Sequence, residues 1–184
     1  MKPEPSQLVR RILRVNHAGE HGAVAIHSAQ IAQLSRSNPT LGDWLAETLS
    51  HEQSHRAAFR EAMPARAAKP CRAMWVWNIG GASLGWMTAT IGASAVMACT
   101  AAVERTVHGH LVEQALLLDR IDPELAALVR SIQIEEDEHL ADAEARHDRA
   151  TLFAKVVSSV VTFATAALIA LSTRGDSLRL TRLA

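Results

Sequence analysis

One spacing pattern limits this chain more than any other feature. Glu20 and Glu52 are separated by the same interval as Glu104 and Glu136. Each second glutamate opens a Glu-x-x-His: His55 follows Glu52, and His139 follows Glu136. The two triplets therefore have identical spacing, and the offset from Glu20 to Glu104 defines an internal repeat. On a helix, residues i and i+3 share a face. Glu52 and His55 therefore aim a carboxylate and an imidazole at one spot, and Glu136 and His139 do the same. The interval between the two glutamates of a triplet is long enough for a helix, a turn and a return. The two thus reach one level of an antiparallel pair. Two such hairpins, face to face, bury four carboxylates and two imidazoles together. Four unpaired carboxylates in an apolar bundle are prohibitively costly. Two divalent cations neutralise them.

A Glu from each of two helices and a Glu-x-x-His from each of the other two is the ligand set of di-iron and di-manganese carboxylate bundles. Taken singly, Glu52 with His55, or Glu136 with His139 in the acidic run Glu135–Glu138, reads as a solvated helix pair. Glu104 and Glu20 are harder to dismiss. The first ends a long uncharged run, and the second lies among Gly19, His21 and Gly22. Mixed carboxylate and imidazole ligation suits iron or manganese better than magnesium or calcium. The two cysteines, Cys71 and Cys99, have no ligand spacing, which argues against a disulfide scaffold, structural zinc and copper(I). Nine histidines are many for this length. His17, His27 and His51 sit near the ligands, and either a hydrogen bond to a ligand or solvent suits them. His108 and His110, shortly after Glu104, are expected as catalytic residues, either hydrogen-bonded to a ligand or facing the pocket. His21 and His147 are expected at the surface.

The chain has 184 residues, 48% of them hydrophobic, which suits one domain spanning 1–184 with a real core. Nineteen basic and nineteen acidic residues give no electrostatic reason to expect nucleic acid. Met1–Pro5 lacks the pattern of a secretory signal or a transit peptide, which fits a cytoplasmic chain or a trimmed one. Strand signals are nearly absent. The pattern predicts helices over Ser6–Leu34, over Thr40–Met63 with Thr40 as N-cap, and over Pro123–His147 capped by Asp122. The long stretch Ala73–Val103 contains no Asp, Glu, Lys or Arg, and it includes Gly80, Gly81, Gly85 and Gly92. Such a run marks membrane contact or a very close helix contact. Helical character continues to about Leu118. A last apolar helix is expected over Thr151–Ser172. The chain therefore divides into ligand repeats at 8–63 and 95–147 and apolar segments at 73–103 and 151–172.

Three motifs carry a resemblance. Arg14-Val15-Asn16-His17-Ala18-Gly19-Glu20-His21-Gly22-Ala23 resembles the first-helix motif of the demethoxyubiquinone hydroxylases. Ala95–Glu104 is similar to their third-ligand motif, and Glu135–His139 to their last Glu-x-x-His. The likeness runs from roughly Leu8 to Leu171. It implies an all-α, ferritin-like four-helix bundle with additional apolar, membrane-associating helices. It implies a flavin-independent di-iron monooxygenase, using O2 and electrons from an external donor or the quinol itself. The substrate it implies is a polyprenyl quinol, a methoxy-methyl-benzoquinol of ubiquinone biosynthesis. Glu20, Glu52, His55, Glu104, Glu136 and His139 match the ligands of two Fe ions per chain, with Glu52 and Glu136 bridging. His110 falls where the family has a histidine near the site. His27 and Leu111 stand where the family has tyrosines, so any relay through them is absent or passes to His27 and His110.

The resemblance also implies a peripheral membrane protein, at the cytoplasmic face of the cell membrane or at the mitochondrial inner membrane of a eukaryote. A homo-oligomer or a biosynthetic complex is open. The apolar segments agree with a lipid substrate. Trp75, Trp77, Trp86, Met74 and Met87, with Phe153 and Phe163 opposite, are either groove lining or core packing. Val156–Thr173 is uncharged and about long enough to span a bilayer. Lys155, Ser158 and Ser159 favour its lying on the membrane surface. Arg66, Lys69 and Arg72, with Arg174, Arg179 and Arg182, are expected to meet anionic headgroups. No Gly-x-Gly-x-x-Gly fingerprint is present. The alternatives are a non-enzymatic ferritin-like iron-binding protein and a di-iron quinol oxidase.

Overall fold

A computed structural model describes residues 4–146, 159, 161–163 and 167. Five α-helices account for nearly all of the continuous part: α1 Pro5–Leu34, α2 Pro39–Ala62, α3 Met74–Ile91, α4 Ala93–Ile121 and α5 Pro123–Ala145. A single 3-10 turn, Pro64–Arg66, follows α2. No strand occurs among the described residues. Of the expected helix over Thr151–Ser172, residues 159, 161–163 and 167 are described and are helical. His147, Phe153, Arg174, Arg179 and Arg182 lie outside the described residues.

Helices α1 and α2 form one antiparallel pair, and α4 and α5 form another. Apolar side chains close both ends. At one end Leu13, Phe59, Met63, Leu111, Leu118 and Val129 pack together. At the other, Leu41, Leu45, Val96, Met97 and Ala143 do so. Each of the four helices contributes to both clusters and carries its polar ligand-type residues between them. The polar layer is thus sealed above and below by close-packed hydrocarbon.

The repeat reaches beyond the ligands. Asn38-Pro39 begins α2 and Asp122-Pro123 begins α5, at the same offset as Glu20 and Glu104. Asn38 Oδ1 accepts from Leu41 N at 3.2 Å, and Asp122 Oδ1 accepts from Leu125 N at 3.1 Å. Each side chain satisfies one of the N–H groups a helix start leaves open, and each proline fills the first position, where no N–H is needed. The cap of α2 is therefore Asn38, not Thr40, which lies inside the helix. Asp122 also anchors the 3-10 turn, because Arg66 donates to both of its oxygens, at 2.6 and 2.9 Å, and to Glu124. The Arg66 guanidinium is committed to this contact rather than presented to headgroups. Lys69 and Arg72 are exposed.

The long uncharged run is two helices, not one rod. Gly92 separates α3 from α4 with φ +124° and ψ −177°, a conformation that side chains disfavour. Helix α3 packs mainly on α1, and the contact is backbone to backbone. A Cβ on Gly81 would sit 2.4 Å from the Gly22 carbonyl oxygen, and one on Gly85 2.2 Å from that of Ile26. Spaced one helical turn apart, these glycines let α3 lie directly against α1. Of the two expectations for this run, the close helix contact describes α3, and its other side shows Trp75, Ile79, Trp86, Met87 and Ile91 to the outside. No helix among the described residues is long and apolar enough to cross a membrane.

Candidate metal centre

The six ligand-type residues of the repeat converge in the polar layer. Glu20, Glu52, His55, Glu104, Glu136 and His139 are all buried, none more than 6% exposed. They form two overlapping groups of four. Glu20, Glu52, His55 and Glu136 offer donor atoms within 4.8 Å of one another, and so do Glu52, Glu104, Glu136 and His139. Glu52 and Glu136 belong to both groups, as bridging ligands of a binuclear site must.

Both histidines turn Nδ1 inward. His55 Nδ1 lies 3.1 Å from Glu136 Oε1. His139 Nδ1 lies 3.4 Å from Glu136 Oε2 and 3.8 Å from Glu52 Oε1. Three polar atoms here are buried without a hydrogen-bond partner: Glu52 Oε1, Glu136 Oε2 and His139 Nδ1. Buried polar atoms are rarely left so. Lone pairs of carboxylate oxygen and imidazole nitrogen aimed at a common space suit a cation.

Without a cation, protons balance the charge. Burial, then the charges of Glu52 and Glu136, push the Glu20 carboxyl well above its usual range. Burial, then Glu136 and Glu52, do the same to Glu104. Glu52 is raised to about 7, chiefly by burial and the charge of Glu136. Burial opposes ionisation of Glu136 too, but the imidazoles of His139 and His55 and the carboxyl of Glu104 outweigh it and hold it well below. Burial disfavours charge on His55, yet its contacts with Glu136 raise it to about 9. His139 is raised for the same reason. Burial and mutual charge thus favour protons on Glu20, Glu52 and Glu104, and the contacts with Glu136 favour the protonated imidazoles of His55 and His139. Cations of charge +2 displace those protons.

The outward nitrogens of the two histidines have different partners. His55 Nε2 lies 3.1 Å from Glu135 Oε2. His139 Nε2 lies 2.9 Å from His51 Nδ1, and the two rings stack at 5.2 Å. His27 is buried, 4.0 Å from Glu52 through Nε2 and 3.1 Å from Gln30 through Nδ1, and Gln30 donates to Thr88 of α3. Burial lowers His27 to about 4, so it is neutral. His17 is also buried and is lowered to about 4 by burial and by Arg60 and Arg56. His21 is half-buried beside Arg56 rather than fully at the surface.

A cavity of about 280 Å³ opens onto the centre, with Glu20, Glu52, Glu104 and Glu136 in its lining. The rest is mostly apolar, with Ala23 and Ile26 of α1, Trp77 and Leu84 of α3 and Val107 of α4 among its walls. His110 lines it, but His108 does not. His108 is turned outward and pairs with Asp137 on the surface. The two histidines thus part, His110 toward the cavity and His108 away from it, since residues two apart point to opposite sides of a helix. Of the proposed groove residues, Trp77 and Met87 line the cavity, Met74 packs beside Trp77, and Trp75, Trp86 and Phe163 are exposed.

Sequence reasoning missed three contributors. Asn16 and Gln114 line the cavity and clasp each other with two amide hydrogen bonds, 2.7 and 3.0 Å long. Glu135 read as one more charge of an acidic run. The signal for Gln114 was within reach, because Gln30 and Gln114 are related by the same repeat offset as the ligands and both are buried.

Residues 7–172 match the family model described as ubiquinone biosynthesis protein COQ7. The chain is 39% identical over 137 residues to a 3-demethoxyubiquinol 3-hydroxylase of Rhodospirillum rubrum, covering 74% of this chain and 64% of that protein. It is 38% identical over 135 residues to the NADPH-dependent 3-demethoxyubiquinone 3-hydroxylase, mitochondrial, of Mus musculus, covering 71% of this chain and 61% of that one. A relative of that same name from Dictyostelium discoideum is 34% identical over 172 residues, covering 91% and 78%. The chain thus spans less than two thirds of the length of the first two.

Proposed function

The chain belongs to the ubiquinone biosynthesis protein COQ7 family, and from that premise we propose that it is an O2-dependent di-iron monooxygenase. Its substrate is the ring of a polyprenylated demethoxyubiquinol, the class that its relatives' names specify. The fold is then of the ferritin-like kind, with α3 as the crossover between two antiparallel pairs. The observation that carries this reading is the meeting of an apolar cavity with four buried carboxylates and two imidazoles, of which Glu52, Glu136 and His139 each leave a buried polar atom without a hydrogen-bond partner.

Two irons would be held by Glu20, Glu52 and His55 on one side and by Glu104, Glu136 and His139 on the other, with Glu52 and Glu136 shared. When bound, they supply the activation of oxygen that side chains cannot. The chain supplies the rest. Val107, Leu84 and Trp77 exclude water and receive the ring. His110, Gln114 and Asn16 are polar groups in that wall, placed to orient the ring's oxygens. Electrons come from an external donor or through the quinol itself; the mouse relative is named NADPH-dependent.

The exposed face of α3 supports a peripheral membrane location. Trp75, Ile79 and Trp86 form an exposed apolar stripe on the helix that walls the cavity, suited to rest against a bilayer in which a polyprenyl tail resides.

The test is expression in a strain that lacks the hydroxylase, with mass spectrometry of its quinones. The hydroxylated product should appear and the precursor should disappear. Persistent precursor alongside well-folded, iron-loaded protein overturns the reading.

A further inference from the structure

Each bridging glutamate is preceded by a residue that reaches across to the other repeat. His51 precedes Glu52 and meets His139, whereas Glu135 precedes Glu136 and meets His55. His51 and Glu135 therefore occupy the same position of the repeat. One is an imidazole where the other is a carboxylate.

From this we propose that His51 and Glu135 are the positioning residues of the two metal positions, and that their difference makes the His55 position bind a divalent cation more tightly than the His139 position. The inference rests on the binuclear reading above.

The argument is one of donor strength. A histidine that ligates through Nδ1 carries its proton on Nε2 and must donate it. His55 donates to the Glu135 carboxylate. That contact draws the proton outward, makes the ring a stronger donor and adds negative charge beside the ion. His139 donates to His51 Nδ1, an imidazole lone pair that fixes the ring without adding negative charge. His51 then keeps its own proton on Nε2. Its ring lines a separate pocket of about 340 Å³, with Trp44, Glu47 and Glu138, on the α2–α5 side. The His139 position is therefore the one with a surface pocket directly behind its ligand.

The experiment is anaerobic titration of the metal-stripped full chain with Co(II), followed by visible absorption and calorimetry. The wild type should bind two ions in two resolved steps. His51→Ala should weaken the second step by about 10- to 100-fold and leave the first nearly unchanged. His51→Gln, which keeps an acceptor, should restore the second step. Glu135→Gln should weaken the first step and bring the two closer. Two indistinguishable steps in the wild type overturn the proposal while leaving the binuclear reading intact. So does a His51→Ala loss shared equally by both steps, or a failure of His51→Gln to rescue. A folded wild type that binds no Co(II) overturns both.

Discussion

Helices α1 and α2 on one side, and α4 and α5 on the other, place matching residues at matching heights, yet only α1 carries a third helix along its backbone. The matched features are those a centre between the pairs demands: ligands, helix caps and a buried glutamine in each first helix. The unmatched ones surround it: His51 against Glu135, His27 against Leu111, and the face that α1 turns toward α3. Toward the crossover, α1 presents the small-residue surface of Gly22 and Ala25, which Gly81 of α3 meets. At the position equivalent to His27 in α1, α4 has Leu111, which packs into the apolar end cluster. The comparison teaches that the six convergent residues repeat while the groups around them, buried or not, are free to specialise.

The largest test of the equivalence is loss of a bridging residue. On the binuclear reading, Glu52→Ala and Glu136→Ala each remove a ligand from both metal positions. Each variant should lose both ions and all hydroxylase activity, as read by elemental analysis and product formation. A variant that keeps two ions per chain would falsify the bridging assignment.

Next comes the face the halves do not share. Gly85→Leu puts a side chain where Ile26 O lies and should cost about 3 kcal/mol or more, measured by denaturant unfolding. Gly109→Ala, with nothing within 4 Å of its Cβ, should instead gain about 1 kcal/mol.

The pH response should come third. Glu52 is raised to about 7 and His55 to about 9 in the metal-free centre. In both cases the folded chain holds the proton more tightly than the unfolded one. The stability they contribute is present at low pH and is lost as pH rises through about 7 and then about 9. The melting temperature in chelator should fall across that window, while metal affinity should rise because fewer protons need displacing. A flat melting curve from pH 5 to 9 would sink this account.

The helix caps give the finest comparison. Asn38→Ala should cost about 1 kcal/mol, as a lost cap does. Asp122→Ala should cost roughly 2 kcal/mol, because it also releases the charge-assisted bonds from Arg66. Equal losses in thermal unfolding would mean that the Arg66 contact contributes nothing.

The convergence of the six residues was legible because side chains must repeat at a helical spacing to meet at all. The resemblance carried by the Arg14–Ala23, Ala95–Glu104 and Glu135–His139 motifs agrees with the family match. The outer partners were not legible. Glu135 lies about 100° around the helix from Glu136, so it reads as solvated until α2 is placed beside it. The break at Gly92 was invisible because uncharged residues flank it on both sides. The cap at Asn38 was readable, since Asp122-Pro123 already displayed the same pair of residue types at the start of α5.

The seam between α1 and α3 bears on how the ring enters. Gly81 and Gly85 rest against main-chain oxygens, so the distance between these helices is set by peptide units rather than by adjustable side chains. That wall acts as a spacer of fixed thickness, not a flap. On the proposed function, a bulky lipid is then admitted by rotation of single groups at the rim, such as Met87 and Leu84.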